Sequence, residues 1–326
     1  MNTNGLKSIF KPELYHGWNK SKRFFEGWYY KLISKNGKHQ LAIIVGVSIN
    51  DKGEKHAFIQ LLNGERLQTS YLTYPFEKFK ASTKKHEVSI DKSTFTLDTL
   101  EINTKYWQGK LSFFNGKELK SKWYAPGIMG IFSFFPGMEC YHGLLQLDGE
   151  IEGKIQFKNE VFDFSKGSVY IEKDWGHSFP EAYVWCQCNN FEVKGTFLSL
   201  SIANVKYLGI KTMGFFCIVQ YQSKQYKFST QNISKIKCIR FDNNNLTIEI
   251  DAQKFILFLE IHEGNYAKLK APSKGEMLQN IKESLTAKVK MNLIDKKTNK
   301  TIFETKGKYG GLDISNPHLL RKSYSK

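Results

Sequence analysis

Arginine is almost missing from this chain. Among 48 basic residues it occurs only at Arg23, Arg66, Arg240 and Arg321. Readers of bases and phosphates draw on the bidentate guanidinium fork, and the lysines that make up the remainder form no dense block. The net charge of +17 therefore reads as a solvated surface, which excludes a nucleic-acid role and leaves room for peripheral attraction to an anionic membrane face. Cysteine is scarce and odd in number, at Cys140, Cys186, Cys188, Cys217 and Cys238, which argues against a secreted disulfide scaffold. No run approaches the ~20 apolar residues of a membrane helix, and the first residues lack the apolar core of a secretory signal. A cytoplasmic protein is expected. No Walker-type loop, G-x-G-x-x-G or G-x-S-x-G is present, which removes the common nucleotide and serine-hydrolase classes. His39, His56, His86, His262 and His318 sit in polar or loop contexts, and no pair has metal-ligand spacing on a single element. Neither a cofactor nor a metal is expected.

What is abundant is aromatic and apolar: aromatics make up 14% and hydrophobic residues 41% of the chain. The prevailing period is two. Short alternating segments such as 24–33, 39–49, 55–62, 141–164, 196–205, 214–221 and 254–261 are separated by turn signals such as "KNGK", "NDKGE" and "DNNN". This spacing predicts an all-β protein of antiparallel barrels or sandwiches. The strands are too many for one small barrel, so the chain divides near residue 180, into 1–180 and 181–326. One short helix or turn is expected in "SKGEMLQNIKESL", where Met277, Ile281 and Leu285 recur every four residues. The polar tail "SNPHLLRKSYSK" is expected to fray.

Three stretches carry residues for chemistry. In "RFFEGWYYK", strand alternation puts Glu26, Trp28 and Tyr30 on one face. An acid there would be desolvated if the face lined a cavity, and it would then keep its proton. At an edge it would instead reach water or pair with a lysine. In "WYAPGIMGIFSFFPGMECYHG", an apolar run broken by glycine and proline precedes Glu139 and His142, and reads as a buried hairpin or as a greasy lid dipping into lipid. In "YIEKDWGHSFPEAYVWCQCNNF", Tyr170, Glu172 and Asp174 share one face and Lys173 and Trp175 the other, with His177 in the turn that follows. Beyond the turn, Trp185, Gln187 and Asn189 form an aromatic-and-amide row suited to orienting a ligand.

These stretches, in this order, resemble the tocopherol cyclase family of lipocalin-like proteins, as does "GKYGGLDI" at 307–314. The resemblance implies two lipocalin-like β domains and a hydrophobic cavity. It implies a cofactor-free ring closure in which a prenyl alkene is protonated and a neighbouring phenol oxygen adds to it. The family often carries asparagine where Asp174 stands and glycine where His177 stands. On this reading Glu26, Glu172 and Asp174 are the candidate acids. Trp28, Tyr30, Trp175 and Trp185 offer aromatic faces to a developing cation, at about 2 kcal/mol or more each when desolvated. His142, His177, Gln187 and Asn189 would bind the substrate, with His142, Gln187 and Asn189 orienting its phenol. The partner is a lipophilic small molecule. The alternative is a non-catalytic carrier of a hydrophobic ligand, which would not require three clustered acids.

Overall fold

The computed structural model describes residues 9–120, 124–207 and 209–321. The chain separates into two compact units. The first runs to Phe179 and also takes in Leu269–Asn280, and the second comprises Pro180–Lys268 and the residues from Ile281 onward.

The first unit holds β1 (Phe24–Ile33), β2 (Gln40–Ile49), β3 (Lys55–Asn63), β4 (Gln68–Pro75), β5 (Phe79–Ala81), β6 (Glu87–Ile90), β7 (Ser93–Thr96), β8 (Thr99–Asn103), β9 (Trp107–Lys117), β10 (Cys140–Gln146), β11 (Asp148–Phe157), β12 (Glu160–Asp163) and β13 (Gly167–Gly176). They form one sheet in the order β4-β3-β2-β1-β13-β11-β9-β8-β7-β6-β5, with β10 also on β13 and β12 on β11. The pairings are antiparallel. One face of this sheet gathers Trp28, Tyr30, Ile43, Ile59, Phe95 and Phe164 into a single core. Strands at opposite ends of the order share that core, so the sheet is rolled around it. The interior is filled by the chain's own side chains: Trp28, Tyr30 and Phe95 are fully buried.

The second unit holds β14 (Tyr183–Cys188), β15 (Phe197–Tyr207), β16 (Ile210–Tyr221), β17 (Lys224–Ser229), β18 (Lys235–Asp242), β19 (Asn245–Asp251), β20 (Phe255–His262), β21 (Tyr266–Ser273), β22 (Glu276–Asp295) and β23 (Lys300–Ser315). Their order is β17-β16-β15-β14-β23-β22-β20-β19-β18, with β21 on β22. Val184, Cys186, Cys188, Leu200, Ile248 and Met291 belong to its separate core. The cysteines are free thiols, as their spacing implied. Two antiparallel β units of the barrel or sandwich type are thus present, as the alternation indicated.

The helix expected around Met277–Leu285 is instead the first half of β22. A recurrence of four is an even number. It therefore places Met277, Ile281 and Leu285 on one face of a strand as readily as on one face of a helix. The tip of the β21–β22 hairpin, residues 269–280, is part of the first unit. Gly275 has φ +85° there, and a Cβ at that position would collide with the backbone of Ile49 and Phe24. Ser48 Oγ donates to Gly275 O at 2.7 Å, and the Gln60 amide both accepts from Lys270 N–H at 2.9 Å and donates to Lys270 O at 3.1 Å. This cover lies on the non-core face of β2 and β3. All ten residues of β1 are buried instead of alternating.

Candidate functional site

Strand β13 is the centre of the site, with β1 on one side and β10 on the other. Register decides which side chains meet. Glu26 lies opposite Trp175 and Trp28 opposite Lys173, so these four share the core face. His142 lies opposite Asp174 and Leu144 opposite Glu172, so the other face carries His142, Glu172 and Asp174. The structure therefore separates the three candidate acids. Glu26 is on one face of the sheet, and Glu172 and Asp174 are on the other.

On the core face Glu26 and Lys173 are fully buried, with Lys173 Nζ 2.5 Å from Glu26 Oε1. Lys173 also donates to Pro12 O at 2.8 Å and to Leu14 O. His16 completes the knot: its main-chain N–H donates to Glu26 Oε2 at 2.9 Å, and its Nδ1 lies 2.8 Å from Lys173 Nζ. Burial alone would raise the Glu26 pKa, but Lys173 and His16 outweigh it and hold the carboxyl below its usual range. Burial pushes Lys173 down to about 8, with Glu26 pulling the other way. Glu26 is thus a carboxylate and not the proton-retaining acid expected for it. The sequence alternative of a lysine partner is the one realised, in a central strand and not at an edge. The aromatic faces expected for a substrate cation serve this lysine: its ammonium sits 4.8 Å from the ring centres of both Trp28 and Trp175. Tyr30 is core, its hydroxyl 2.6 Å from His86 Nε2 and donating to Thr96 O at 3.0 Å.

The opposite face holds a continuous polar chain. Asp174 Oδ1 lies 2.7 Å from His142 Nδ1, and Glu172 Oε2 lies 3.3 Å from His142 Nε2. Tyr170 donates its hydroxyl to Glu172 Oε2. Burial would lower the His142 pKa, but Glu172 and Asp174 raise it to about 10, so the ring is an imidazolium at neutral pH. Tyr170 is fully buried and Glu172 nearly so, whereas a quarter of the Asp174 side chain is exposed. The chain thus has a closed end at Tyr170 and an accessible end at Asp174. Cys140 adds its thiol 3.7 Å from Asp174 Oδ1. His142, Glu172 and Asp174 are also a group that could hold a metal ion, with donor atoms within 4.8 Å of one another. No single strand contains that set, which is why spacing along one element did not reveal it. As arranged, Asp174 shares a proton with Nδ1 at 2.7 Å, and Glu172 pairs its charge with the Nε2 side of the same ring at 3.3 Å.

His177 follows β13 and works through its backbone. Its N–H donates to Glu139 O at 2.9 Å, and its carbonyl accepts from Gly275 N–H at 2.6 Å. The apolar stretch before β10 is neither a helix nor a β-hairpin. It turns through a 3-10 segment, Gly130–Phe134, that leaves Ile131, Phe134 and Phe135 more than a third exposed. It is tied to the site by Tyr141, which donates to Phe135 O and stacks on Trp175 at 5.5 Å. Trp123, with which the sequence motif opens, lies outside the described residues.

Trp185, Gln187 and Asn189 belong to the second unit. Gln187 is fully buried and Nε2 reaches Asn189 Oδ1 at 3.3 Å. Trp185 pairs in register with Asp313, a residue that sequence reasoning passed over. Asp313 is buried, and burial raises its carboxyl to about 7 against the opposing hydrogen bond from Tyr183. The proton-retaining acid expected at Glu26 is therefore found at Asp313. Its signal was an aspartate inside the apolar strand "YGGLDIS". His16 was missed as well; "YHGW" lies a few residues before the stretch singled out at the first strand.

The chain is 28% identical over 107 residues to "Probable tocopherol cyclase, chloroplastic" of Oryza sativa subsp. japonica, covering 30% of this chain and 22% of that one. It is 32% identical over 85 residues to "Tocopherol cyclase, chloroplastic" of Zea mays, covering 26% and 17%. The chain thus spans about a fifth of the length of these curated relatives. The crystal structure of CghA with Sch210972 superimposes with a TM-score of 0.59 at 10% identity, covering 90% of this chain and 88% of that one, which supports the lipocalin-like fold. A family model described as tocopherol cyclase-like matches residues 118–316, which hold β10, β13 and the glycine-rich end of β23, and the chain belongs to that family.

Proposed function

We propose that the protein is an acid–base cyclase or isomerase that closes a ring on a prenylated phenol or a similar lipophilic substrate. The observation that carries this reading is the Asp174–His142–Glu172–Tyr170 chain, buried at one end and accessible at the other. The His142 imidazolium gives its Nδ1 proton to the Asp174 carboxylate 2.7 Å away, and Asp174 passes it to the substrate alkene. Asp174 is then again a carboxylate, beside a neutral imidazole, and its charge stabilises the cation while the cation exists. The phenol oxygen bonds to the tertiary carbon and loses its proton to Asp174. One proton is given and one is recovered, so no co-reactant is consumed. Glu172 and Tyr170 keep His142 in its charged form and fix its ring.

The exposed apolar turn around Phe134 supports a lipophilic substrate. Phe10 packs edge-on against Phe134 at 5.8 Å, and both are about half exposed. Such a patch on a chain of net charge +17 suits contact with an anionic bilayer that holds the substrate. Among the described residues no helix is long and apolar enough to cross a membrane.

The test is turnover of a prenylated methylhydroquinone in D2O, followed by chromatography and mass spectrometry. The expected product carries one deuterium on carbon, and Asp174→Asn and His142→Gln lose at least a hundredfold in kcat while folding normally. Folded variants that retain wild-type turnover would overturn the assignment. A ligand retained unchanged by a wild type with no turnover would favour the carrier.

A further inference from the structure

The glycine-rich end of β23 is not used by the relay on β13, yet it builds a second constellation. Asp313 sits on the non-core face of the second unit, directly opposite Trp185 on β14 and Glu283 on β22. The residue is 4% exposed. Its Oδ2 accepts a hydrogen bond from the Tyr183 hydroxyl at 2.6 Å. Its Oδ1 is buried and finds no hydrogen-bond partner among the described residues. Gly311 gives the indole of Trp185 room to lie against β23: a Cβ there would come within 2.6 Å of Trp185 Cη2. Trp185 itself is only partly buried, and it pairs in register with Asp313 on the same face. Ser199 is on the same face, on β15 opposite Gln187, and its buried hydroxyl likewise lacks a partner among the described residues.

An orphaned buried oxygen is unfavourable, and a ligand that pairs it relieves that loss. The Tyr183 hydroxyl already donates to Oδ2, so a carboxyl proton resides on Oδ1 and makes that atom a donor. A donor needs an acceptor, and the adjacent indole face needs a flat conjugated surface. We propose that Asp313, with Tyr183 and Trp185, forms a binding site on the second unit for the carbonyl oxygen of a planar conjugated ketone or quinone. The titratable groups that face Asp313 are Tyr183 on β14, Glu283 on β22 and Tyr266 on β21, whose own phenol is raised by burial and by nearby acids that include Asp313. Burial raises the Tyr266 phenol, so it stays neutral between pH 5.5 and 8.5. Asp313, held to about 7 by burial, changes charge within that window.

The experiment is equilibrium binding of acetophenone, an acceptor that does not titrate, to the full chain between pH 5.5 and 8.5. The site requires Kd to be flat below pH 7 and to rise about tenfold per unit above it. Asp313→Asn keeps a donor and binds within about threefold of the wild type, with the pH dependence gone. Asp313→Leu weakens binding at least tenfold at pH 6. Circular dichroism and saturable binding by Asp313→Asn control for folding. A pH-independent wild-type Kd, unchanged binding by Asp313→Leu, or no saturable binding overturns the site. Preferential binding of 4-propylphenol above pH 7, where a carboxylate would accept its hydroxyl, overturns the ligand class. None of these measurements uses turnover, so they stand or fall apart from the ring-closure reading.

Discussion

Replacing Lys173 with methionine takes one charge out of a pair in which both partners are fully buried. The ammonium has three oxygen acceptors, in Glu26, Pro12 and Leu14, and lies between two indole faces. Its loss strands the Glu26 carboxylate where no water reaches it, and breaking a buried pair in this way costs about 3–5 kcal/mol. The variant can escape part of that cost by protonating Glu26. In the wild type the Glu26 pKa is lowered, so its contribution is present above the unfolded value and is lost as pH falls through the folded one. In the variant the folded pKa is raised, so the sign reverses and acid relieves the penalty by up to about 1.4 kcal/mol per pH unit. The assay is urea denaturation at pH 5 and pH 7, followed by tryptophan fluorescence, since Trp28 and Trp175 flank the removed charge. The deficit of Lys173→Met should shrink on acidification. The double variant Lys173→Met, Glu26→Leu should recover at least about 2 kcal/mol of the summed single costs. Additive costs, within about 0.5 kcal/mol, together with a deficit that ignores pH would refute the buried-pair argument.

Three further outcomes follow from the geometry. His142 has a folded pKa raised to about 10, so its contribution is complete below about pH 6.5 and lost as pH rises toward 10. The stability advantage of wild type over His142→Gln should therefore narrow by up to about 5 kcal/mol across that window, and a constant difference would contradict the imidazolium bridge. Gly311→Ala forces a methyl within 2.6 Å of Trp185 and should cost about 1–3 kcal/mol with a shifted tryptophan emission, whereas an unchanged melt would mean the ring moves freely. Gln60→Leu removes both bonds to the Lys270 backbone, so amide exchange should speed up in the 269–280 hairpin tip and stay unchanged in β19 and β20.

Much of the fold was legible because a strand has the shortest side-chain period and writes itself into a few residues. The alternation of "FFEGWYYKLI" placed Glu26, Trp28 and Tyr30 together, and they do share a face. The same alternation placed Glu172 with Asp174 and Lys173 with Trp175. It could not say which face of β13 matches which face of β1, because that depends on register across strands about 140 residues apart in sequence. A one-residue slip would have put Glu26 beside Glu172 and Asp174, as the chemistry seemed to ask. The misread helix at 275–285 has a similar cause, since a four-residue recurrence fits both periods.

Side-chain alternation, turn chemistry and composition thus determined by themselves that the chain is all-β, antiparallel and two-unit, and which residues lie on one side of each strand. These are local properties, carried by neighbours along the backbone. Only the tertiary structure decided that Glu26 is neutralised by Lys173, that His142 bridges Glu172 and Asp174, and that Asp313 keeps its proton. A pKa is set by burial and by charges a few ångströms away in space, and those neighbours come from strands that the linear order does not pair.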